Sequence, residues 1–127
     1  MATTRSKATL DIDGTALTLA ALRAYETERP GVRLAAAARE RMQQSVDAVA
    51  RTVARGEVTY GINTGFGAFA SKVIPAAQTR KLQLNLIRSH ACGTGAPLAA
   101  ALVRRMLLLK ANSLAAGHSG ARPLLVE

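Results

Sequence analysis

Residues 59–71 read Thr59-Tyr60-Gly61-Ile62-Asn63-Thr64-Gly65-Phe66-Gly67-Ala68-Phe69-Ala70-Ser71, a stretch with three glycines and no charged side chain. No apolar period is sustained through it, and glycines at this density mark backbone that must take unusual dihedral angles or let another group approach closely. It reads as a loop, and what flanks it reads as helix. Upstream, Ala38, Met42, Val46, Val49 and Val53 recur at spacings of four, four, three and four. Those spacings stack them on one face of a helix over residues 35–55. Gly56 stops it, with Arg51 and Arg55 in its last turn, where cations suit the dipole. Downstream, Pro75 opens a second long helix expected to run to about Ala91, with Leu82, Leu86 and Ile87 on or near the face that also carries Gln83 and His90, and with Gly93 as its stop. Pro97 suits the first turn of a third helix, Leu98 to about Ala116, where Leu102, Met106 and Leu109 mark one side and Gly117 the end.

Toward the N-terminus, Ala8-Thr9-Leu10-Asp11-Ile12-Asp13 alternates apolar and polar before Gly14, the pattern of a short strand or extended arm. Thr18 can cap a short helix carrying Leu19 and Leu22, which Pro30-Gly31 ends with a turn. A further apolar pattern begins at Pro123 and is cut at Glu127 without a stop signal, so a C-terminal truncation is expected. The expected fold is mainly α, one domain over residues 1–127, with a glycine-rich loop and one short N-terminal strand.

A chain of 127 residues with 49% hydrophobic and 20% charged side chains can bury a core and is not a disordered or low-complexity segment. One cysteine, Cys92, cannot make an internal disulfide, and the N-terminus lacks the continuous apolar stretch of a secretory signal. A reducing cytoplasm is the expected compartment. The longest stretch without Asp, Glu, Lys or Arg, Ser89 to Val103, is too short to span a bilayer and contains Gly93, Gly95 and Pro97, so no membrane partner is expected. The net charge of +9 is unevenly placed: residues 1–57 carry nine Lys or Arg and seven Asp or Glu, whereas residues 58–126 carry eight Lys or Arg and no carboxylate. Such a field concentrates anions, whether phosphates, acidic partner surfaces or an anionic substrate. The plainer reading is a solvated face whose acidic counterpart lies on another subunit or on chain outside this sequence. With only two Tyr and two Phe and no basic helix carrying base-reading polar residues, nucleic acid is the less favoured partner.

Familiar chemical templates fail. Gly65-Phe66-Gly67-Ala68-Phe69-Ala70 matches the loose dinucleotide fingerprint, but no strand precedes it, and the acid needed about 20 positions later cannot exist in a carboxylate-free segment. There is no Gly-Lys-Ser/Thr phosphate loop and no His-Glu-x-x-His; His90, Cys92 and His118 are too few for a closed zinc site, so no metal is expected. A nucleophilic triad needs a carboxylate to orient its histidine, and the half that carries the histidines supplies none internally.

What remains is Tyr60-Gly61-Ile62-Asn63-Thr64-Gly65-Phe66-Gly67, followed by Asn85-Leu86-Ile87-Arg88-Ser89-His90-Ala91-Cys92-Gly93-Thr94-Gly95. The first resembles the Tyr-Gly-x-x-Thr-Gly-Phe-Gly signature of the histidine and aromatic amino acid ammonia-lyases, and the second resembles their Asn-Leu-x-x-Ser-His-x-x-Gly-x-Gly segment. Leu109-Lys110-Ala111-Asn112-Ser113-Leu114 through Gly117-His118-Ser119-Gly120 also looks like the family. The resemblance runs from about Leu17 to Glu127, and three ordered motifs are far more specific than one.

It implies the helical N-terminal part of the ammonia-lyase fold, with the glycine-rich loop in the active site, and removal of ammonia from an amino acid to leave an unsaturated acid. By the same resemblance, the electrophile is a methylidene-imidazolone group made from an internal Ala-Ser-Gly, Tyr60 is the base on the substrate β-hydrogen, His90 contacts the substrate ring, and Gly61 gives its backbone close access to the ligand. A tyrosine has an ordinary pKa near 10, so a phenolate base needs positive surroundings or donors to its oxygen. The Ser89-His90 pair is the form associated with histidine lyases, making L-histidine, converted to urocanate, the expected substrate; the same pair occurs in some tyrosine lyases and aminomutases, so a tyrosine or phenylalanine ammonia-lyase or an aminomutase is the alternative. The family also implies a homotetramer with active sites drawn from several subunits. From the residues alone, the favoured readings are the plainer ones: Tyr60 as a loop tyrosine packing its ring on a helix, and His90 as a helix-end residue favoured by the dipole. Cys92 reads as a small buried residue, His118 as a turn residue, and Phe66 and Phe69 as loop anchors.

One element of the pattern is missing. No Ala-Ser-Gly occurs between Met1 and Glu127, and Ala70-Ser71-Lys72 fails at its third position. In the family that triad, the arginine for the substrate carboxylate and most of the helical bundle lie further along, so the chain is expected to be inactive by itself. A non-catalytic assembly fragment and a basic nucleic-acid-binding module are the readings from other classes.

Overall fold

The computed structural model describes residues 8–127. They divide into two compact units, one of residues up to Asp47 together with Leu98–Glu127, the other of Ala48–Pro97.

In the first unit, the alternating segment forms a strand, β1 (Thr9–Ile12), and the element after it a helix, α1 (Leu19–Glu28). Thr18 caps that helix as expected, its Oγ1 accepting from the Ala21 N–H at 3.1 Å. The helix closes on Arg29, which takes a left-handed conformation (φ 49) and donates its N–H to the Tyr25 carbonyl. The chain does not simply turn at Pro30-Gly31. It enters a second strand, β2 (Gly31–Leu34), which pairs parallel to β1 in the register Thr9↔Gly31 to Ile12↔Leu34. Parallel strands need a crossover between them, and α1 supplies it. The register sets Asp11 opposite Arg33, whose Nε and Nη2 donate to the two carboxylate oxygens at 2.8 and 2.9 Å.

Helix α2 (Ala36–Ala54) follows the predicted bounds to within a residue at each end, and Ala38 and Met42 of its apolar stripe are fully buried. Helix α3 (Ala76–His90) lies in the second unit, and helix α4 (Ala100–Ala115) packs on α1 and β1 in the first, burying Leu108 and Ala115. Pro97 was expected in the first turn of α4, but that helix starts at Ala100. The N-cap, Ala99, is extended (φ −56, ψ 134), so Pro97 lies two residues before the cap, in the approach to the helix rather than in its first turn. With Ile12, these four side chains are the buried apolar core of the described residues, and all five fall in the first unit. Each contributes in proportion to its apolar area, about 1.5–3 kcal/mol for Ile12, Met42 and Leu108.

The turn between β1 and α1 is pinned from three directions. Asp13 Oδ1 accepts from the N–H groups of Thr15 and Ala16, both at 2.8 Å, and its Oδ2 accepts from the Thr15 hydroxyl at 3.0 Å. Gly14 donates its N–H to Asn112 Oδ1 of α4 at 3.0 Å, and Arg41 of α2 donates to the Asp13 carbonyl at 2.6 Å. The Ala16 and Thr15 N–H groups hold the Asp13 carboxyl below the usual carboxylate range, while the Arg33 fork does the same for Asp11. A carboxyl whose folded pKa is depressed stabilises the fold above its unfolded pKa, and that contribution is lost as pH falls through the folded value. The melting temperature is therefore expected to be level above about pH 5 and to fall once pH drops below about 4. Thermal melts from pH 7 to pH 3 check this, and Asp13→Asn should shrink the acid-side drop.

The second unit comprises the end of α2, the glycine-rich loop with a short 3-10 turn at Gly67–Phe69, and helix α3 (Ala76–His90). Helix α3 begins directly after Pro75 and stops at His90, three residues before the glycine expected to end it. Among the described residues, no helix is long and apolar enough to cross a membrane.

Candidate functional site

Tyr60 owes its position to buried polar residues three and four places after it. Asn63 Oδ1 accepts from the Thr59 N–H at 2.8 Å and its Nδ2 donates to the Glu57 carbonyl at 2.7 Å. The Ile62 and Asn63 N–H groups donate back to the Thr59 carbonyl at 3.1 and 3.2 Å, closing the turn that carries Tyr60 and Gly61. The far side of the loop is tied by an isolated antiparallel bridge between Thr64 and Val73, by the Gly65 N–H donating to the Lys72 carbonyl at 3.0 Å, and by the Ile74 N–H donating to the Asn63 carbonyl at 2.8 Å. Thr64, 1% exposed, donates its hydroxyl to the Gly65 carbonyl at 2.9 Å and accepts from the Gly61 N–H at 3.4 Å. Burying an amide and a hydroxyl is costly unless both are paired. Here both are, and the loop has a defined shape without an apolar core beneath it.

Gly61 has φ 79, and a Cβ there would meet nothing within 4 Å. The dihedral angle, not crowding, selects glycine, and the space above its backbone is open to a ligand. Tyr60 is 64% exposed, with its ring edge-on to Phe66 at a centroid distance of 6.1 Å and an interplanar angle of 70°. So Tyr60 packs on a loop ring rather than on a helix, and Phe66 is the anchor it uses. Phe69, also expected as an anchor, is 65% exposed. Its role is closer to the backbone: a Cβ on Gly65 would come within 2.7 Å of the Phe69 Cβ and carbonyl oxygen.

His90 is the last residue of α3 and is exposed. Its Nδ1 lies 2.9 Å from the Leu86 carbonyl oxygen and 3.0 Å from Ser89 Oγ. Between the loop and α3 lies a cleft of about 350 Å³ whose walls include Gly65, Phe66, Lys72, Leu86 and Ser89. Neither Tyr60 nor His90 lines it. Phe66, against which Tyr60 packs, and Ser89, next to His90, do, so the cleft joins the surroundings of the two predicted site residues without joining the residues themselves. Cys92, expected to be buried, is exposed. It falls in residues 91–100, every one of which is exposed, a run with two glycines and a proline and no helix or strand to pack it until its last residue, Ala100. His118 lies exposed beyond the C-terminal end of α4, consistent with a turn residue.

The local field is positive. Glu57 is engaged by Arg55, whose Nε and Nη2 donate to its oxygens at 2.5 and 3.2 Å and hold the carboxyl below its usual range. From Val58 to Pro97 the unit holds Lys72, Arg80, Lys81 and Arg88 and no carboxylate. That balance attracts an anion such as an amino acid carboxylate. Asn63 and Thr64 were not singled out from sequence. The available signal was an Asn and a Thr inside a glycine-rich loop, residue types that hydrogen-bond the backbone of their own turn.

Comparisons with known proteins converge. The sequence model of the family described as aromatic amino acid lyase matches residues 17–127. A histidine ammonia-lyase of Anaeromyxobacter dehalogenans is 49% identical over 119 residues, which cover 94% of this chain and 23% of that protein. The crystal structure of histidine ammonia-lyase from Trypanosoma cruzi superposes with a TM-score of 0.80 at 37% identity, covering 93% of this chain and 22% of that one. The tyrosine aminomutase from Streptomyces globisporus superposes with a TM-score of 0.85 at 30% identity, again over 93% and 22%. The chain thus spans less than a quarter of the length of the curated relatives it matches.

Proposed function

We propose, on the premise that the chain belongs to the aromatic amino acid lyase family, that it serves as the N-terminal part of a histidine ammonia-lyase, a homotetramer that eliminates ammonia from L-histidine to give urocanate. The observation that carries the reading is the loop that Asn63 and Thr64 hold, which leaves the Tyr60 side chain largely exposed beside an open Gly61 backbone, in a unit free of carboxylates after Glu57. The resemblance to histidine ammonia-lyases at up to half identity supports histidine over the other ring-bearing amino acids.

In this reading Tyr60 Oη removes the substrate β-hydrogen as a proton. The electron pair left on the β-carbon becomes the double bond as the amino nitrogen departs from the α-carbon. Gly61 lets the substrate lie against the backbone, His90 meets the substrate ring, and the cationic surface draws the carboxylate in. The family's methylidene-imidazolone group supplies the electrophile that makes the amino group a leaving group, and these residues do not fit its formation. The nearest match, Ala70-Ser71-Lys72, places a lysine where glycine is required, on an exposed turn closed by the Lys72 N–H donating to the Phe69 carbonyl. The electrophile has to come from outside these 127 residues.

Two results follow. The purified 127-residue chain should form no urocanate from L-histidine, and formation above background would overturn the division of labour described. In a complete lyase carrying this segment, His90→Phe should move preference from histidine toward phenylalanine by roughly 10–200-fold in relative kcat/KM, the discrimination that an apolar pocket without a hydrogen-bonding group supplies. Unchanged histidine turnover would count against His90 as the ring contact. The aminomutase reading is favoured by one observation, the tyrosine aminomutase superposition, and a β-amino acid product would reveal it.

A further inference from the structure

Leu86, Ser89 and His90 close a small hydrogen-bonded triangle at the C-terminal end of α3. The Ser89 hydroxyl donates to the Leu86 carbonyl oxygen at 2.9 Å, and His90 Nδ1 stands 2.9 Å from that oxygen and 3.0 Å from Ser89 Oγ. A carbonyl oxygen only accepts, so the ring nitrogen facing it must carry the proton. The serine, whose own proton points to the carbonyl, is left to accept from Nδ1–H. A neutral imidazole has one N–H, so Nε2 is then the lone-pair nitrogen.

We propose that Ser89 is a positioning residue that, with the Leu86 carbonyl, holds neutral His90 in the Nδ1–H tautomer, so that Nε2 acts as an acceptor for a donor on the substrate ring. An imidazole N–H or a phenol O–H satisfies it, and a bare phenyl ring leaves it unpaired. Ser89 also lines the cleft beside the loop, which puts the triangle at the edge of the space a ring would enter. The substrate half of the inference rests on the function proposed above; the tautomer does not.

Long-range proton–nitrogen NMR spectra of the nitrogen-15-labelled chain at about pH 8, above the ordinary imidazole pKa, report the tautomer directly. His118→Gln leaves His90 as the single histidine. The expected result is a pyrrole-type Nδ1 and a pyridine-type Nε2 in the otherwise native chain and in Ser89→Thr, with an Nε2–H fraction appearing in Ser89→Ala. A predominant Nε2–H form or an even mixture in the native chain overturns the inference, as does a Ser89→Ala spectrum identical to the native one. In the complete lyase, Ser89→Ala should raise KM for the ring-donor substrate on the order of threefold to tenfold with kcat nearly unchanged, and Ser89→Thr should restore it. A KM that does not move overturns the positioning role. A lyase that ignores L-histidine overturns the proposed substrate instead, and the NMR result still decides the tautomer.

Discussion

Replacing Tyr60 by phenylalanine in the complete lyase is expected to lower kcat by about 10²–10⁴-fold, the usual contribution of a positioned general base. The substitution removes one oxygen and keeps the ring. The ring is what packs on Phe66, 6.1 Å away and edge-on, and the side chain is already 64% exposed. The fold should therefore not register the change: an exposed substitution away from buried partners stays within about 0.5 kcal/mol. Parallel measurements of kcat and of the melting temperature separate the two effects. A large loss of rate at unchanged stability is the expected pair of results. A rate within a few-fold of the parent would remove Tyr60 from the chemistry and return it to the role of a loop tyrosine.

The second large effect is structural and lies in the other unit. Gly14→Ala should destabilise the fold by about 2–6 kcal/mol, adding the strain of a side chain in a rarely populated backbone region to the cost of overpacking. Gly14 has φ 87, and a Cβ there would lie 2.3 Å from the Ala116 nitrogen and 2.4 Å from its Cα. Backbone on one side and the Asp13 and Asn112 hydrogen bonds on the other leave the turn nowhere to retreat. Gly56→Ala is the matched control, because φ there is 68 but nothing lies within 4 Å of the added carbon. It should lose only the strain, about 1–2 kcal/mol. Thermal melts of both variants check the ordering. Equal losses would mean that the β1–α1 turn moves freely against the end of α4.

The sequence made the helices legible where the signal is local. The Ala38–Val53 spacings, the Thr18 cap and the Pro75 start each depend on neighbours within a turn or two, and each element lies within a few residues of its expected bounds. Strand β2 was not legible. Gly31–Leu34 is four residues long, follows a proline and alternates only over Val32-Arg33-Leu34, too short a run to distinguish from a turn, and its partner lies 22 positions earlier. A parallel pairing across a helix leaves no mark in the local pattern. Pro97 misled for a related reason, since a proline suits both a helix start and the extended approach to one. For the proposed site, Tyr60, Gly61 and His90 could be singled out because they sit in the recognisable loop and helix-end motifs. Asn63 and Thr64 were not, because their part is to accept and donate to backbone groups that exist only once the loop has closed. The burial of Cys92 was inferred from its small apolar character, whereas exposure is decided by neighbours, and residues 91–100 have none to cover them. The uneven charge was legible in sign and in sequence position, and the structure adds that Arg55 engages Glu57, the last acid before the loop.

The central claim is that this segment brings a base and a ring contact to the elimination of ammonia from histidine. The most direct test is ammonia release by the complete lyase carrying residues 1–127, measured side by side on L-histidine, L-tyrosine and L-phenylalanine. The account predicts stoichiometric urocanate and ammonia from L-histidine with the highest kcat/KM of the three, and the lowest value for L-phenylalanine, whose ring offers no donor to His90. A higher kcat/KM for L-tyrosine or L-phenylalanine, or no ammonia from L-histidine, would contradict it.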